Sequence, residues 1–543
     1  MAQTHCSTSR SRVALDALAP LTIPGWRWGL ALIIAGMTAS FLLYGYALVY
    51  WRNADMDFMV IYNALVMNDG KPQLFFDHTA YLTIISVKAW LKMLHHIGLL
   101  DSYSLSTMPG ASDTQAFDAA MTSIVRAGRV LAWLTATGCV LAFAGLIRAI
   151  VRDWRIALLA TLAFAFCGGM AVHTRILRSE LLSACPVIFA LMILIMVGRR
   201  ASVVRPLWMA LAAGLCVLGL ENKVQAILLI AAAPLLILPF GNTESASSPF
   251  WRKDRRAAPL VVVSAIVASA ATWAASPLIV TGLDRALLET AGFHPLLLGG
   301  FGSYQAALLL LIGGCMITYA LIWRISMTET LASMAAIVAG ASVALLVLNL
   351  DYNTGNVIAV LNPLEKMLTF ADSGTVAATS NSDFTGLLWL LLDGTTSVLA
   401  RYSFILHSSP RPTVFFIWLI VPGIVYAWRQ RKRQIAVQCL LLLLAALSID
   451  TLGIRRGLKS EYFIFTDPLI ILAGALLLAQ LTDLRFHKWA YPTAIVLFGL
   501  QIVIGQAEPI KYALMRRGPE PVCEWNQHYL PLLALPWCAS PRS

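Results

Sequence analysis

Charge is what this 543-residue chain has least of: 13% of its residues are Asp, Glu, Lys or Arg, while 59% are hydrophobic. A water-soluble domain carries roughly 25% charged residues. A chain this apolar has too little polar surface to cover itself in water, so lipid is its solvent. The short alternating segments of a membrane β-barrel are not its pattern. Apolar runs near 28–50, 260–280, 331–348 and 463–481 reach or approach the roughly 20 residues that cross a hydrocarbon core as a helix. No internal repeat, P-loop, GxGxxG or zinc-type Cys/His spacing stands out. No cofactor, metal or nucleic-acid partner is therefore expected. Asp77 and His78 are neighbours, but adjacent side chains rarely aim at one ion. The N-terminal apolar run is too long for a signal peptide and no clear cleavage site follows it, so it reads as an uncleaved first span.

The expectation is an all-α polytopic membrane protein with 13 spans, roughly 28–50, 127–148, 154–172, 181–198, 206–220, 224–240, 258–281, 304–323, 328–349, 412–428, 434–452, 463–482 and 489–505. With the N-terminal segment 1–27 in the cytoplasm, the loops carrying Arg199–Arg200, Arg252–Arg256 and Arg429–Arg433 all fall inside, as the positive-inside rule requires. The transmembrane core then runs over 28–349 and includes a first outer loop, 51–126. A second long outer loop follows at 350–411, then helices over 412–505 and an outer tail, 506–543. Function is expected in the long outer segments. Lys88, Lys92, His95 and His96 share one helical face, opposite Val87, Trp90, Leu91, Leu94 and Ile97. That pattern suits an amphipathic helix on the membrane surface. The segment 386–407, apolar but carrying Asp393 and Arg401, reads as interfacial or re-entrant. Six cysteines in apolar runs serve as small hydrophobes, whereas Cys523 and Cys538, in the polar tail, are expected to pair there.

Three clusters on the outer side could carry chemistry. The first loop opens with Asp55-Met-Asp57, and a carboxylate at a span's end can act on a membrane-bound substrate; it can equally be a solvated charge. After span three come His173, Arg175, Arg178 and Glu180, where Arg175 and Arg178 share a face suited to an anionic phosphate. Glu221-Asn222-Lys223 and the late run Arg455, Arg456, Lys459, Glu461, Tyr462 complete the set. Basic residues outside run against the positive-inside bias, although each also fits a snorkelling anchor.

Several of these residues stand in an order that resembles the GT-C glycosyltransferases, membrane enzymes that take sugars from polyprenyl-phosphate donors. The first-loop run Asp57-Phe-Met-Val-Ile-Tyr62, followed by Asp69-Gly70-Lys71-Pro72 and Phe76-Asp77-His78, is similar to that family's opening loop. Arg126-Ala-Gly-Arg129, His173 to Glu180, Gly219 to Lys223, and Arg455 to Phe463 running into Pro468 follow in the family's order. Among subfamilies the likeness is to protein O-mannosyltransferases and lipid A aminoarabinose transferases. It implies inverting transfer from a polyprenyl-phosphate-linked sugar to an envelope acceptor, whether lipid, glycan or protein, on the outer face of the inner membrane. By resemblance Asp57 is the base with Asp55 in reserve, and Arg175, Arg178, Lys223, Arg455 and Arg456 are phosphate ligands. Glu180, Glu461, Tyr462, Tyr62 and His78 are positioning groups. The competing class is a transporter or flippase of envelope precursors, which would place ionisable groups in mid-span.

Overall fold

The computed structural model describes residues 23–53, 57–73, 80–198, 205–240, 258–283, 295–323, 325–350, 384–403, 413–452, 459–480, 487–505, 523 and 530–538. Among them there are helices and turns but no strand. The first half holds α1 (Pro24–Phe41), α2 (Met59–Asn68), α3 (Tyr81–His96), α4 (Thr114–Ile150), α5 (Trp154–Ala165), α6 (Gly168–His173), α7 (Glu180–Gly198), α8 (Arg205–Asn222) and α9 (Ala226–Ile237). The second holds α10 (Ala258–Leu283), α11 (Pro295–Ile322), α12 (Met327–Asn349), α13 (Phe384–Ser403), α14 (Val414–Arg429), α15 (Arg433–Leu452), a 3-10 turn at Ser460–Phe465, α16 (Asp467–Gln480) and α17 (His487–Gly505).

Among the described residues six helices are long and apolar enough to cross a bilayer: Pro24–Tyr46, Thr114–Ile150, Glu180–Val197, Ala258–Val280, Met327–Asn349 and Arg433–Leu452. The chain is a multi-pass membrane protein, but thirteen full-length crossings are not seen. The expected span 154–172 is broken, for example. Cys167 adopts an extended conformation, and α5 ends after 12 residues. At 1.5 Å per residue that is about 18 Å, short of a core about 30 Å thick. The break lets Gly169 lie against the Ile464 backbone, where a Cβ would collide.

The described part of the first loop, expected over 51–126, is largely helical. Asp113 caps α4 through a 3.0 Å bond from the Ala116 N–H, and the helix then runs 37 residues, about 55 Å. It projects well beyond the length of a single span. Against that projection sit α2, buried from Met59 through Met67, and α3. The expected amphipathic helix exists, but its apolar face meets protein. Val87 and Leu91 are buried, and the Trp90 indole donates to the Ala127 carbonyl at 2.9 Å. Two apolar cores result. The larger joins α1, α4–α7, α9 and α13–α17, with Val398 and Tyr402 packing α13 into the bundle. The smaller joins α2, α3, the start of α4 and the C-terminal tail.

The tail supplies Leu530, Leu533 and Leu535 to that smaller core, and Trp537 packs on Tyr50, Trp51 and Phe117. Cys523 and Cys538 are bonded, as their place in the polar tail led one to expect. The tail therefore lies on the same side of the membrane as the first loop. Elsewhere the bundle relies on small residues: a Cβ at Gly340 of α12 would overlap the Ala210 carbonyl of α8, so the two backbones touch directly.

Candidate active site

A buried ion pair fixes the geometry from below. Asp57 and Arg129 are both fully buried. Asp57 Oδ2 accepts from Arg129 Nε at 2.9 Å and Nη2 at 2.8 Å, a bidentate pair. Its Oδ1 accepts the Leu177 N–H at 2.8 Å. Arg129 uses its remaining N–H groups on the carbonyls of Gly45, Leu48 and Val49, where α1 unwinds. One carboxylate thus ties the end of α1, the first loop, α4 and the turn after α6 together. Burial pushes the Asp57 carboxyl up, and the facing Arg129 guanidinium and Leu177 N–H pull it back.

The turn so pinned presents Arg178 to Glu180 at the start of α7. Glu180 is fully buried and accepts Arg178 Nε at 3.2 Å and Nη2 at 3.1 Å, together with the Lys223 ammonium. Arg178 also reaches Glu461 Oε1 at 3.3 Å, and the Lys223 ammonium sits 5.3 Å from the Tyr462 ring centre. The fourth member is His173, whose Nε2 lies 3.5 Å from Glu180. Burial opposes charge on Arg178, but Glu180 and Glu461 outweigh it and hold the guanidinium firmly charged. Glu180 thus joins His173 and Arg178 of its own turn to the distant Lys223, and Arg178 extends the cluster to Glu461.

Asn222 fastens the back of the cluster. Its side-chain carbonyl accepts the Thr83 N–H at 3.0 Å, its amide donates to the Ser179 carbonyl, and its backbone carbonyl accepts the Ala80 N–H at 2.9 Å. Ala80 is held at φ 48°, a left-handed conformation unusual outside glycine. Next to Asn222, Glu221 is buried. Desolvation raises its carboxyl well above the usual range.

A narrow cleft of about 20 Å³ opens beside the cluster. His173, Arg178 and Leu177 form one wall; Leu131, Ala132 and Thr135 of α4 and Thr83 and Val87 of α3 form the other. Further along α4, Leu134 and Leu141 are exposed and the Cβ directions of Gly138 and Gly145 meet nothing. These positions share a face with the cleft's α4 wall, so an apolar surface runs from the cleft along the helix.

Of the residues singled out in sequence, the structure gathers Arg178, Glu180, Lys223, Glu461 and Tyr462. Arg175 points elsewhere: its Nε donates to Ser40 at 3.2 Å, its guanidinium lies 5.8 Å from the Tyr44 ring centre, and burial pushes it down to about 10. Tyr62 is buried in the smaller core and accepts the Leu532 N–H at 3.1 Å. Asp55, His78, Arg455 and Arg456 lie outside the described residues. The residue pattern pointed to neither Arg129 as the partner of Asp57 nor Asn222 as a hub, since both contacts span long stretches of chain. Among the described residues no group of three or more His, Cys, Asp or Glu could hold a metal ion.

No family model matches the chain, and no curated protein does. Solved structures do. It is similar to the Archaeoglobus fulgidus oligosaccharyltransferase in complex with zinc and sulfate, at 11% identity and a TM-score of 0.45, over 95% of this chain and 58% of that one. It is likewise similar to the archaeal oligosaccharyltransferase AglB from Archaeoglobus fulgidus in complex with an inhibitory peptide and a dolichol-phosphate, at 13% identity and a TM-score of 0.42, over 96% of this chain and 61% of that one. The chain spans about three fifths of the length of the two structures to which it is similar.

Proposed function

We propose that this protein is an inverting membrane glycosyltransferase that moves a sugar from a polyprenyl-phosphate donor to an envelope acceptor. The observation that carries this reading is the meeting of Arg178 and Lys223, from two separate elements, at one buried carboxylate beside a cleft with an apolar second wall. A lipid-linked sugar phosphate needs that combination. Cations held in a site of low dielectric stabilise the phosphate as it departs, while an apolar face takes the prenyl chain. Leu131 and Thr135 at the cleft and Leu134 and Leu141 beyond it offer such a face, continuous with the lipid.

In this reading Glu180 stores the cations in position before substrate arrives, with Glu461 as the partner Arg178 releases to the phosphate. Of the two acids, Glu461 is the more exposed, and it sits on a short 3-10 turn whose neighbours Arg455 and Arg456 would add further positive charge. Asp57 is proposed as the base that takes the acceptor's proton. Both of its oxygens are occupied, so that role requires the Arg129 bridge to open in the donor-bound state. Until then Asp57 acts by holding the Leu177–Glu180 turn. The active face is the one shared by the first loop and the tail, proposed to be the outer face of the inner membrane.

The test is transfer of labelled sugar from a polyprenyl-phosphate donor by protein purified into lipid nanodiscs. Arg178→Ala and Lys223→Ala should each cost at least about 10²-fold in turnover. A protein that moves the intact donor across vesicles without breaking the sugar–phosphate bond would instead be a transporter or flippase, and the reading would fall.

A further inference from the structure

His173 has no role in the scheme so far, yet its two nitrogens are sharply distinguished. Nδ1 lies 2.6 Å from the Gly169 carbonyl, which only accepts, so Nδ1 carries a hydrogen and donates it. Nε2 is left as the nitrogen that gains or loses a proton. It is buried, has no hydrogen-bond partner, and lies 3.5 Å from Glu180 Oε2 in a ring that lines the cleft.

The described charged groups around it come from several elements. From α7 comes Glu180, from the turn Arg178, from beyond α8 Lys223, and from the 3-10 turn Glu461. On α4, Arg129 is spent on Asp57. Among these described groups the two cations each face a carboxylate, so a proton on Nε2 can be added or withdrawn without breaking an ion pair.

The proposed reaction has a use for such a proton. A sugar-linked polyprenyl phosphate is a diester with one negative charge, and transfer releases it as a monoester with a second ionisation near about 6. Resting on the glycosyltransferase reading, we infer that His173 donates the Nε2 proton to the departing phosphate. The acceptor oxygen bonds to the anomeric carbon as that carbon's bond to the phosphate oxygen breaks, leaving the electron pair on the phosphate. The hydroxyl proton goes to the first-loop carboxylate, and the Nε2 proton neutralises the new charge. The imidazole recovers its proton from solvent when the lipid phosphate leaves.

His173→Asn is the direct test, because the Asn amide can still donate to the Gly169 carbonyl while the titrating nitrogen is gone. Turnover should fall about 10²-fold with little change in donor KM. The wild-type rate should decline as pH rises and Nε2 loses its proton, and the variant should lack that alkaline limb. Unchanged turnover and an unchanged alkaline limb in the variant overturn the inference. A second measurement needs neither a variant nor transfer. Calorimetric binding of farnesyl phosphate to the wild-type protein, in two buffers of different ionisation heat between pH 6 and 8, counts protons exchanged. Proton exchange that His173→Asn abolishes supports the proton link, even if no sugar is ever transferred and the reading of the reaction itself fails. No exchange in the wild type overturns it.

Discussion

Two helices of this bundle are alike in sequence and opposite in surroundings. The apolar spans Glu180–Val197 of α7 and Ala258–Val280 of α10 are both long enough to cross a bilayer, yet 78% of the first is buried in protein and 11% of the second. Residues such as Val262, Ile266 and Trp273 of α10 are exposed, and its contacts are concentrated on α12. The α7 helix is enclosed by α4, α8, α9 and the 3-10 turn, and its first residue is the carboxylate on which the candidate site is built. Apolar character alone does not say which helix is central, because lipid and protein interior are equally good solvents for it. The polar residue at the helix end does say so, because a buried charge must be met from several sides.

If that contrast is right, Glu180→Gln should be the most damaging single change. It removes the buried carboxylate charge that Lys223 and Arg178 share and leaves Arg178 to Glu461 alone, at an expected cost of about 3–5 kcal/mol, against at most about 0.5 kcal/mol for Ile266→Ala on the outside of α10. Thermal unfolding of both variants in the same detergent checks this, and equal losses would erase the distinction. Asp57→Asn should follow closely. It strands Arg129, so folding as well as turnover should suffer, and the double variant Asp57→Asn/Arg129→Met should recover part of the loss.

A smaller effect separates the touching helices from the free ones. Gly340→Ala pushes α12 off the Ala210 carbonyl and should cost about 1–3 kcal/mol, whereas Gly313→Ala on α11, where a Cβ meets nothing, should be near neutral. Melting temperatures of the pair measure the gap.

The smallest effect is one of sign. Glu221 has its carboxyl raised by burial above the ordinary value of 4.5. The folded state then holds a proton that the unfolded chain has already lost, so stability falls as pH rises from about 4.5 to the folded value. Glu221→Gln removes that penalty. It should leave stability unchanged near pH 4 and raise it above that, by about 1.4 kcal/mol for each unit of elevation. Unfolding curves across pH would show the difference growing with pH; a difference constant with pH would refute it.

What could be read from sequence follows the range of the interactions. Apolar runs and the caps of α4 and α5 are local, so helices were legible, as was the amphipathic pattern of α3. What α3 packs on was not, because a lipid face and a protein face call for the same residues. The chemical set Arg178, Glu180, Lys223, Glu461 and Tyr462 was visible as clusters of charge where the positive-inside bias argues against them. The bond from Arg129 to Asp57, 72 residues apart, and the hub at Asn222, 139 residues from Thr83, depend on the fold itself. The break at 165–168 was hidden because its residues are as apolar as the helix on either side.

The seating of the tail on the first loop has a consequence for how this protein is made. Tyr62 and Leu532 are bonded across 470 residues, and Leu530, Leu533, Leu535 and Trp537 complete a core whose α2 and α3 members are synthesised long before them. At about 5–20 residues per second, translation leaves that early segment waiting roughly 25–90 s for the residues that finish it. During that interval its apolar faces stand open, available to chaperones, to proteases or to the membrane surface. The core around α2 and α3 is therefore complete only once Leu530, Leu533, Leu535 and Trp537 have joined it, and losing those residues would leave it unfinished.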